Sequence, residues 1–539
     1  MAEFRSDGGD ADVLIIGAGA SGAAAAWRLA AAGFDVVCLE QGGWYDHARA
    51  PSLGADWELS RFARNSNNPN IRRLPEDYPV NDGDTPIAPS MYNAVGGSTI
   101  HWGGHFPRFH PQDFKVRSVD GVADDWPLTY GELEPYYDLN DRMMGVSGLA
   151  GDPANPPRVP RDMPPLAPGR GGEILARAFD RLGWHWWPTD NAINTRAREG
   201  RGACNNCGPC DLGCPVGARG STDITYWPRA LDAGARLRTH ARVREILVDG
   251  QGRATGAVYF DEKGVERHQR ARVVILAANG VGTPRLLLLS KSTAHPNGLA
   301  NSSGLVGRNL MHHPTGLVTG LFAEDLEGYK GLFSQSIFSQ EFYDTRPKHN
   351  FVRGFQLQIL RCDGPVSVAA GGYLEGVPWG PTHHVEFAAR FGRLASSTIT
   401  AEDLPNERNT VTIDAELVDG DGIPAPKLTY AVDGNTRAMI DFGIARAREL
   451  FAEAGALRTV DQPLLPSAGF HLMGTARMGD DAKTSVVDRW GRAHDVSNLF
   501  IIDGSVFVTC AALNPTSTIQ ALALRTADHI IETRGDLAS

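Results

Sequence analysis

Near the start of the chain, an apolar run, a stretch of small residues and a second apolar run follow one another, and this order predicts a βαβ unit. An apolar run ending at Ile16 leads through a glycine turn into an alanine-rich stretch of helical length. A second apolar run, DVVCLE, then ends at Glu40. Two parallel strands joined by a helix are therefore expected here, which indicates the α/β class.

The same pattern recurs twice further along the chain. RVVILAA precedes TPRLLLLS, and LFIIDG precedes TSTIQALALRTADHII, so two more strand-to-helix passages are predicted. From about residue 325 to 460, short β-rich runs such as VRGFQLQIL and NTVTIDAEL alternate with Gly and Pro turns. We expect a doubly wound, Rossmann-like domain that is discontinuous in sequence, covered by an antiparallel sheet.

Composition and charge narrow the function classes. The 539 residues, 42% of them hydrophobic and 21% charged, predict a globular protein of two or three lobes. The net charge of -11 disfavours nucleic acid and anionic membranes as main partners. No signal-like segment or membrane-spanning apolar run is seen, so we expect a cytoplasmic protein without membrane insertion. Export to the periplasm alongside a signal-bearing partner subunit stays open.

A glycine motif lies between the first strand and the first helix. Gly17, Gly19 and Gly22 give G-x-G-x-x-G, which lets the backbone approach a pyrophosphate at the helix N-terminus. Glu40 ends the second strand, about 20 residues on, where an acidic residue binds a ribose hydroxyl. The unit predicts a dinucleotide cofactor but does not distinguish NAD from FAD.

Four of the seven cysteines form the segment ACNNCGPCDLGCP. Their spacing, C-x2-C-x2-C-x3-C-P, is the one that ferredoxins use for iron-sulfur clusters. A 3Fe-4S cluster on three thiolates, a 4Fe-4S cluster on four, a zinc site, and free or bridged thiols are the alternatives. The candidate ligands are Cys204, Cys207, Cys210 and Cys214, with Cys38, Cys362 or Cys510 as remote fourth ligands.

The paired histidines His312 and His313 stand in the segment RNLMHHP. No third metal ligand follows at a suitable spacing. A metal site is not expected there.

Several longer segments together resemble the glucose-methanol-choline (GMC) oxidoreductases, a family of flavoenzymes. They are ADVLIIGAGASG, YNAVGGSTIHWGGHF, WPLTYGELEPYYD, VVILAANGVGTPRLLLLS, FHLMGTARMG and NLFIIDGSVFVTCAALNPTSTIQALALRTADHI. The resemblance runs from about residue 11 to about residue 533. Within the family, the chain looks most like bacterial sugar or gluconate dehydrogenase catalytic subunits, with pyranose oxidase-like features.

The resemblance implies a catalytic pair. His471 matches the histidine that lies near flavin N5, and Asn514 matches its partner across the substrate. Alcohol oxidation needs a base for the hydroxyl proton while the carbinol hydrogen leaves as hydride. Asn514 would hydrogen-bond the same oxygen and fix the orientation of the carbinol.

The resemblance also implies FAD as the cofactor. The matching contact positions are Gly96, Ser98, His101, Asp503, Gly504 and Pro515. His101 corresponds to a histidine bonded covalently to flavin in pyranose oxidases; covalent linkage, a noncovalent contact and a structural role are its three alternatives. Pro515 and the Ser and Thr residues after it are expected to open and cap the last helix, whose positive N-terminus stabilises reduced flavin.

The family fold implies a division into three parts. Residues 1–115, 235–324 and 461–539 form the FAD-binding domain, residues 116–234 an insertion with the cysteine loop, and residues 325–460 a substrate-binding cap. The expected reaction is oxidation of a CH-OH group of a sugar, glycoside or polyol. Electrons would pass through the cluster to an external acceptor. An electron-acceptor subunit or a small chaperone-like subunit is expected as a partner.

Two alternatives belong to other functional classes. Without a cluster, an alcohol or sugar oxidase that reduces O2 to H2O2 is expected. A noncatalytic flavin-binding electron carrier is the third class, against which the intact pair of His471 and Asn514 argues.

Overall fold

The computed structural model describes residues 9–331, 336–361, 364–372 and 374–537. Three sheets, of seven, six and three strands, organise this part of the chain. None of the helices in it combines the length and the apolar character needed to cross a bilayer.

The bounds of the elements are as follows. The strands are β1 (Ala11–Ile16), β2 (Val36–Leu39), β3 (Asn81–Asp84), β4 (Trp187–Pro188), β5 (Arg236–Arg238), β6 (Arg242–Val248), β7 (Ala254–Phe260), β8 (Glu266–Leu276), β9 (Thr315–Leu321), β10 (Ile337–Ser339), β11 (Phe355–Arg361), β12 (Leu394–Ala401), β13 (Thr410–Val418), β14 (Pro424–Thr429), β15 (Arg458–Gln462) and β16 (Leu499–Ile501). The helices are α1 (Ala20–Ala31), α2 (Trp57–Arg61), α3 (Pro69–Arg72), α4 (Val116–Asp120), α5 (Tyr130–Met144), α6 (Gly169–Leu182), α7 (Tyr226–Asp232), α8 (Asn279–Leu289), α9 (Pro365–Ala370), α10 (His383–Arg390), α11 (Gly434–Glu453), α12 (Thr516–Glu532) and α13 (Arg534–Leu537).

The seven-stranded sheet contains the predicted βαβ unit. Strands β5, β2, β1, β8 and β16 lie side by side and parallel, with β16 against the C-terminal half of β8. Strands β7 and β6 continue antiparallel from the N-terminal half of β8. Strands β1, β2 and β16 and the C-terminal end of β8 are almost wholly buried, because helices such as α1 and α12 cover the sheet, whereas the edge strand β5 is half-buried. The doubly wound α/β prediction is confirmed.

The six-stranded sheet is antiparallel, as predicted, in the order β15, β9, β12, β11, β10 and β4. Side chains alternate between its two faces. Phe355, Leu357 and Ile399 point into a core that is shared with α6 and α11. The opposite face therefore carries Gln356, Gln358, Thr398 and Thr400, and it is more polar.

Strand pairing crosses the domain boundaries drawn from the sequence. Strand β9 lies before residue 325, yet it pairs with β12 and β15 of the antiparallel sheet. Strands β13 and β14 lie inside the predicted cap, yet they pair with β3 from the N-terminal part. The three-part division stays a prediction. By strand pairing, β9 goes with the antiparallel sheet of the cap, and β13 and β14 go with the N-terminal part.

Candidate active site

A cavity of about 650 Å³ extends from the glycine turn after β1 to the polar face of the antiparallel sheet. It brings together predicted residues from distant parts of the chain. Those that line it are Gly17, Gly19, Glu40, Ser98, His101, His471, Asp503, Gly504, Asn514 and Pro515. The cavity thus joins the predicted cofactor site to the predicted catalytic pair.

The three glycines of the motif have different roles. Gly17 has φ of +105°, and a Cβ atom there would lie 2.5 Å from the Ala277 carbonyl oxygen. A Cβ atom at Gly22 would lie 2.0 Å from the Gly17 carbonyl oxygen. At Gly19 the nearest atom would be the Gly97 Cα, 3.8 Å away. Packing therefore requires glycine at the outer two positions, whereas Gly19 borders open cavity, as a pyrophosphate cradle would.

We expect Gly19→Ala to weaken FAD binding without destabilising the apoprotein. The new methyl group has room among the protein atoms but occupies the space by which a phosphate approaches the backbone. Isothermal titration of apoprotein with FAD, in a His101→Ala background in which no covalent bond to His101 can form, should show about tenfold or greater loss of affinity. Gly22→Ala is the matched control, and its apoprotein should unfold at a lower temperature. Unchanged FAD affinity in Gly19→Ala would contradict this assignment.

Glu40 is buried at the end of β2 and borders the cavity. Its carboxylate accepts hydrogen bonds from the amides of Ala18, at 2.8 Å, and Gly42, at 2.9 Å. Burial raises its pKa to about 7, and the amide hydrogen bonds oppose that rise. Two amides leave carboxylate lone pairs free, so the group suits ribose hydroxyl donors.

His101 ends a 3₁₀ turn, Gly97–His101, that begins after Gly96 with φ of +100°. Ser98 of this turn borders the cavity, and its hydroxyl accepts from the Tyr92 amide. The His101 Nδ1 lies 2.7 Å from the Asp211 carbonyl oxygen. A carbonyl only accepts, so Nδ1 carries the proton and Nε2 keeps its lone pair. That buried Nε2 has no hydrogen-bond partner among the described residues, and burial lowers the pKa of His101 to about 4.

The cysteine segment packs against this turn. Asp211 lies between Cys210 and Cys214, and Arg219 donates to the Thr99 and Ile100 carbonyls. Within the described ranges, no group of three or more His, Cys, Asp or Glu side chains is arranged to hold a metal ion. The geometry of the described residues therefore gives no support to the predicted iron-sulfur cluster or to zinc, and Cys362 lies outside the described residues. The contact of the segment with the site is the Asp211 carbonyl, which accepts from the His101 Nδ1.

The predicted catalytic pair meets at the other end of the cavity. The Asn514 Nδ2 lies 3.5 Å from the His471 Nε2. The amide of Gln358 donates to the Asn514 Oδ1 at 2.8 Å. Because its oxygen is held by Gln358, Asn514 presents its amino group toward His471. Both side chains therefore face the same small volume of the cavity.

A second histidine, His313, fixes the protonation of His471. The two Nδ1 atoms lie 2.7 Å apart, so one of them donates to the other. The His313 Nε2 lies 2.8 Å from the Ala511 carbonyl oxygen, which only accepts. Neutral His313 therefore carries its proton on Nε2, and its Nδ1 is the acceptor. His471 must donate from Nδ1, which leaves a lone pair on its Nε2, facing Asn514.

Electrostatics favour this neutral state. Burial lowers the pKa of His471 well below its ordinary value, and the nearby His313, His312 and His105 lower it further. Burial likewise lowers the pKa of His313 to about 4. Both imidazoles are therefore neutral at neutral pH, and His471 can accept a proton at Nε2.

Sequence reasoning missed His313. The pair HHP was assessed only as a metal site, whereas His313 acts just before β9 as a partner for a residue 158 positions away. The available signal was a histidine directly before the apolar run that forms β9. That signal does not identify its partner.

Helix α12 differs in detail from its prediction. It begins at Thr516, and Pro515 is the N-cap residue, but no side chain caps the helix. The predicted Ser and Thr capping is wrong. The Thr518 hydroxyl bonds the Tyr137 hydroxyl instead, at 2.8 Å, and the buried Ser517 hydroxyl has no hydrogen-bond partner among the described residues. The first turn thus borders the cavity with uncapped amides, which favours an anionic group there.

Asp503 follows β16 and is held in place by two donors. Its carboxylate accepts from the Ser505 amide, at 2.9 Å, and the Thr283 hydroxyl, at 2.6 Å. Burial raises its pKa. Gly504 also borders the cavity, and a Cβ atom there would lie 2.7 Å from the Leu472 carbonyl oxygen. Both therefore form a rigid part of the cofactor end.

Comparison with known proteins gives a consistent picture. Two GMC oxidoreductase family models match residues 11–315 and 405–523. The chain is 45% identical over 534 residues to 2-methyl-1,2-propanediol dehydrogenase of Mycolicibacterium austroafricanum, covering 98% of this chain and 96% of that protein. It is 30% identical to the fructose dehydrogenase large subunit of Gluconobacter japonicus, covering 97% and 98%.

A solved structure shows the same fold. The structure is that of a formate oxidase variant from Aspergillus oryzae RIB40, studied for FAD modification. It aligns over 99% of this chain and 100% of its own, with a TM-score of 0.65 and 16% identity. At that identity the likeness supports the fold alone.

Proposed function

Because the chain belongs to the GMC oxidoreductase family, an FAD-binding family that acts on alcohols and sugars, we propose a more specific function. In this proposal the protein is an FAD-dependent dehydrogenase that oxidises a CH-OH group of a small diol, sugar or related polyol to the carbonyl. The observation that carries the proposal is the buried His471, whose Nε2 lone pair faces the Asn514 amino group in the same cavity as the glycine turn.

The residues at the cofactor end fit FAD. Gly19 borders empty space at the start of α1, Glu40 offers carboxylate lone pairs, and the uncapped start of α12 suits an anion. FAD held by these residues would supply the hydride acceptor for the carbinol carbon.

His471 acts as the general base in this proposal. Its Nε2 accepts the hydroxyl proton, while its Nδ1 stays bonded to His313. The Asn514 amino group donates to the same substrate oxygen and holds the carbinol in one orientation. Burial of His471 and His313 limits the access of bulk water to the proton transfer.

The walls of the cavity favour a substrate with hydroxyl groups and a small carbon skeleton. Gln358, Thr398 and Thr400 line it from the polar face of the sheet. Leu317 and Leu465 line it as well and provide apolar contact. A diol such as the one named for the 45% identical relative combines both features.

We also propose that FAD is attached covalently through His101. The His101 Nε2 would replace one hydrogen of a flavin methyl group, and the flavin would take up the two electrons released before the external acceptor reoxidises it. The supporting observation is its buried, unpartnered Nε2 lone pair at the cavity wall. After acid precipitation of the wild-type protein, yellow colour should stay with the pellet. In His101→Ala it should pass into the supernatant, with FAD still present before precipitation. Complete release of flavin from the wild type would contradict the linkage.

The identity of the electron acceptor decides whether the enzyme is a dehydrogenase or an oxidase. Dehydrogenase action is supported by the names of the two relatives, and an oxidase would consume O2 and release H2O2. The iron-sulfur relay stays a prediction from the cysteine spacing alone. Iron and sulfide analysis of anaerobically purified protein tests it, and no step above depends on it.

Anaerobic titration tests the proposed function directly. Small diols and sugars should bleach the flavin absorbance of the wild-type protein, and dye or ferricytochrome acceptors should restore it. Product analysis should show one carbonyl per flavin reduced. Failure of every polyol to bleach the flavin would exclude the proposal.

A further inference from the structure

His105 follows the His101 turn and lines the same cavity. Only 4% of its surface is exposed, and neither ring nitrogen forms a hydrogen bond of good geometry with a described residue. A buried polar group without a partner costs free energy unless something binds it. A ligand in the cavity would therefore supply the hydrogen-bond partner that the His105 ring lacks.

His105 lies close to the catalytic pair. It is near enough that a positive charge on it would lower the pKa of His471. Its other close neighbour is the Gln356 amide, which also donates to the Asn514 Oδ1 at 3.4 Å. His105 thus lies beside the volume that His471 and Asn514 face.

Thr398 supplies a second unpartnered group in the same cavity. It is 8% exposed, and its hydroxyl has no hydrogen-bond partner in the described part of the chain. In the sheet it is paired directly with Gln358, whose amide holds Asn514. Paired residues of neighbouring strands project from the same face. Thr398 therefore also lies beside the catalytic amide.

The chemistry of the two groups suits a hydroxyl. Burial lowers the pKa of His105 to about 4, so its imidazole is neutral and has one donor and one acceptor. The threonine hydroxyl likewise donates and accepts. An alcohol hydroxyl can satisfy both, whereas an apolar substituent would leave both unpaired.

We propose that His105 and Thr398 form a subsite for a second substrate hydroxyl, next to the CH-OH group that is oxidised. This inference rests on the proposed function and deepens it. It assigns preference for diols and polyols over monoalcohols to two residues outside the catalytic pair. His105 and Thr398 determine substrate specificity, whereas His471 and Asn514 take part in the reaction.

The test compares 2-methyl-1,2-propanediol with 2-methyl-1-propanol, which has the same carbon skeleton without the tertiary hydroxyl. Anaerobic stopped-flow measurement of flavin reduction gives kcat/KM for each. In His105→Phe, the value for the diol should fall about 10- to 100-fold, the scale for leaving a hydrogen-bonding group unpaired, with the monoalcohol changed less than about twofold. Thr398→Val, which keeps the shape of the side chain, should show the same pattern.

A binding measurement separates the subsite from the chemical step. Pinacol carries two tertiary hydroxyls and no carbinol hydrogen, so it binds without reacting. Its inhibition constant should rise about tenfold or more in both variants. Thr459→Val, on β15 of the same sheet but away from the cavity lining, is the matched control and should leave both measurements unchanged.

The outcomes distinguish the two proposals. If neither this diol nor any other polyol reduces the wild-type flavin, the proposed function is wrong. If another polyol does, that polyol and its deoxy analogue replace the pair. If the variants lower the rates with polyol and deoxy analogue equally, or leave pinacol inhibition unchanged, the subsite is overturned while the proposed function stands.

Discussion

His471→Ala should lower the rate of flavin reduction by about 100-fold or more, the scale expected for loss of a general base. The variant removes the ring nitrogen whose lone pair, fixed by the contact with His313, faces Asn514. FAD content should stay at the wild-type level, because the cofactor end of the cavity is built from other residues. Anaerobic stopped-flow absorbance with saturating polyol measures the rate.

Two comparisons make this result specific. Asn514→Ala should reduce the rate less, because it removes orientation and leaves the base in place. Circular dichroism and flavin absorbance should show that both variants keep the fold and the cofactor. A His471→Ala protein that reduces flavin at the wild-type rate would rule out His471 as the base.

The pH dependence follows from the same environment. Protonation at Nε2 abolishes the base, so activity falls as pH drops through the pKa of His471 in the folded enzyme. Because burial and the neighbouring histidines lower that pKa, the fall moves toward acid. The reduction rate should stay level from about pH 8 down to about pH 6, where an ordinary histidine would already be half protonated or more.

The parts that sequence predicted well depend on local pattern. The first βαβ unit follows from an apolar run, a glycine turn and a helical stretch, so β1, α1 and β2 lie where expected. The roles of Gly17 and Gly22 follow from close backbone approach, which the motif already encodes. His471 and Asn514 came from the resemblance, since neither residue is distinctive alone.

The missed parts depend on contacts between distant segments. His313 meets His471 only after the segment before β9 packs against the loop that follows β15. His105 and Thr398 lie on different elements and become neighbours of one amide through sheet register. Periodicity shows that a strand has a polar face, but not which cavity that face borders.

For the cysteine segment, a strong local signal has no matching support in the structure. Its spacing is typical of an iron-sulfur cluster, yet a cluster also needs ligands arranged around it in space. No group of three or more His, Cys, Asp or Glu side chains among the described residues is arranged to hold a metal ion, so the cluster stays a prediction; the clearest contact of the segment is the Asp211 carbonyl, which accepts from His101. Spacing alone does not specify the direction of side chains in a loop without regular structure.

The second large effect is expected at His313. His313→Leu should lower flavin reduction about 10- to 100-fold, as loss of an orienting partner does, with little change in substrate affinity. Without an acceptor at His313 Nδ1, the His471 ring no longer has a fixed tautomer, and its proton can occupy Nε2. Stopped-flow reduction at several substrate concentrations separates the maximal rate from the apparent dissociation constant.

His313→Gln is the matched variant that tests the reason. A glutamine offers an oxygen to accept from the His471 Nδ1 and an amino group to donate to the Ala511 carbonyl, as His313 does. We expect its reduction rate to lie within about fivefold of wild type, because the tautomer of His471 is again fixed. Equal losses in the leucine and glutamine variants, at equal FAD content and melting temperature, would show that His313 supports packing and not the protonation state of the base.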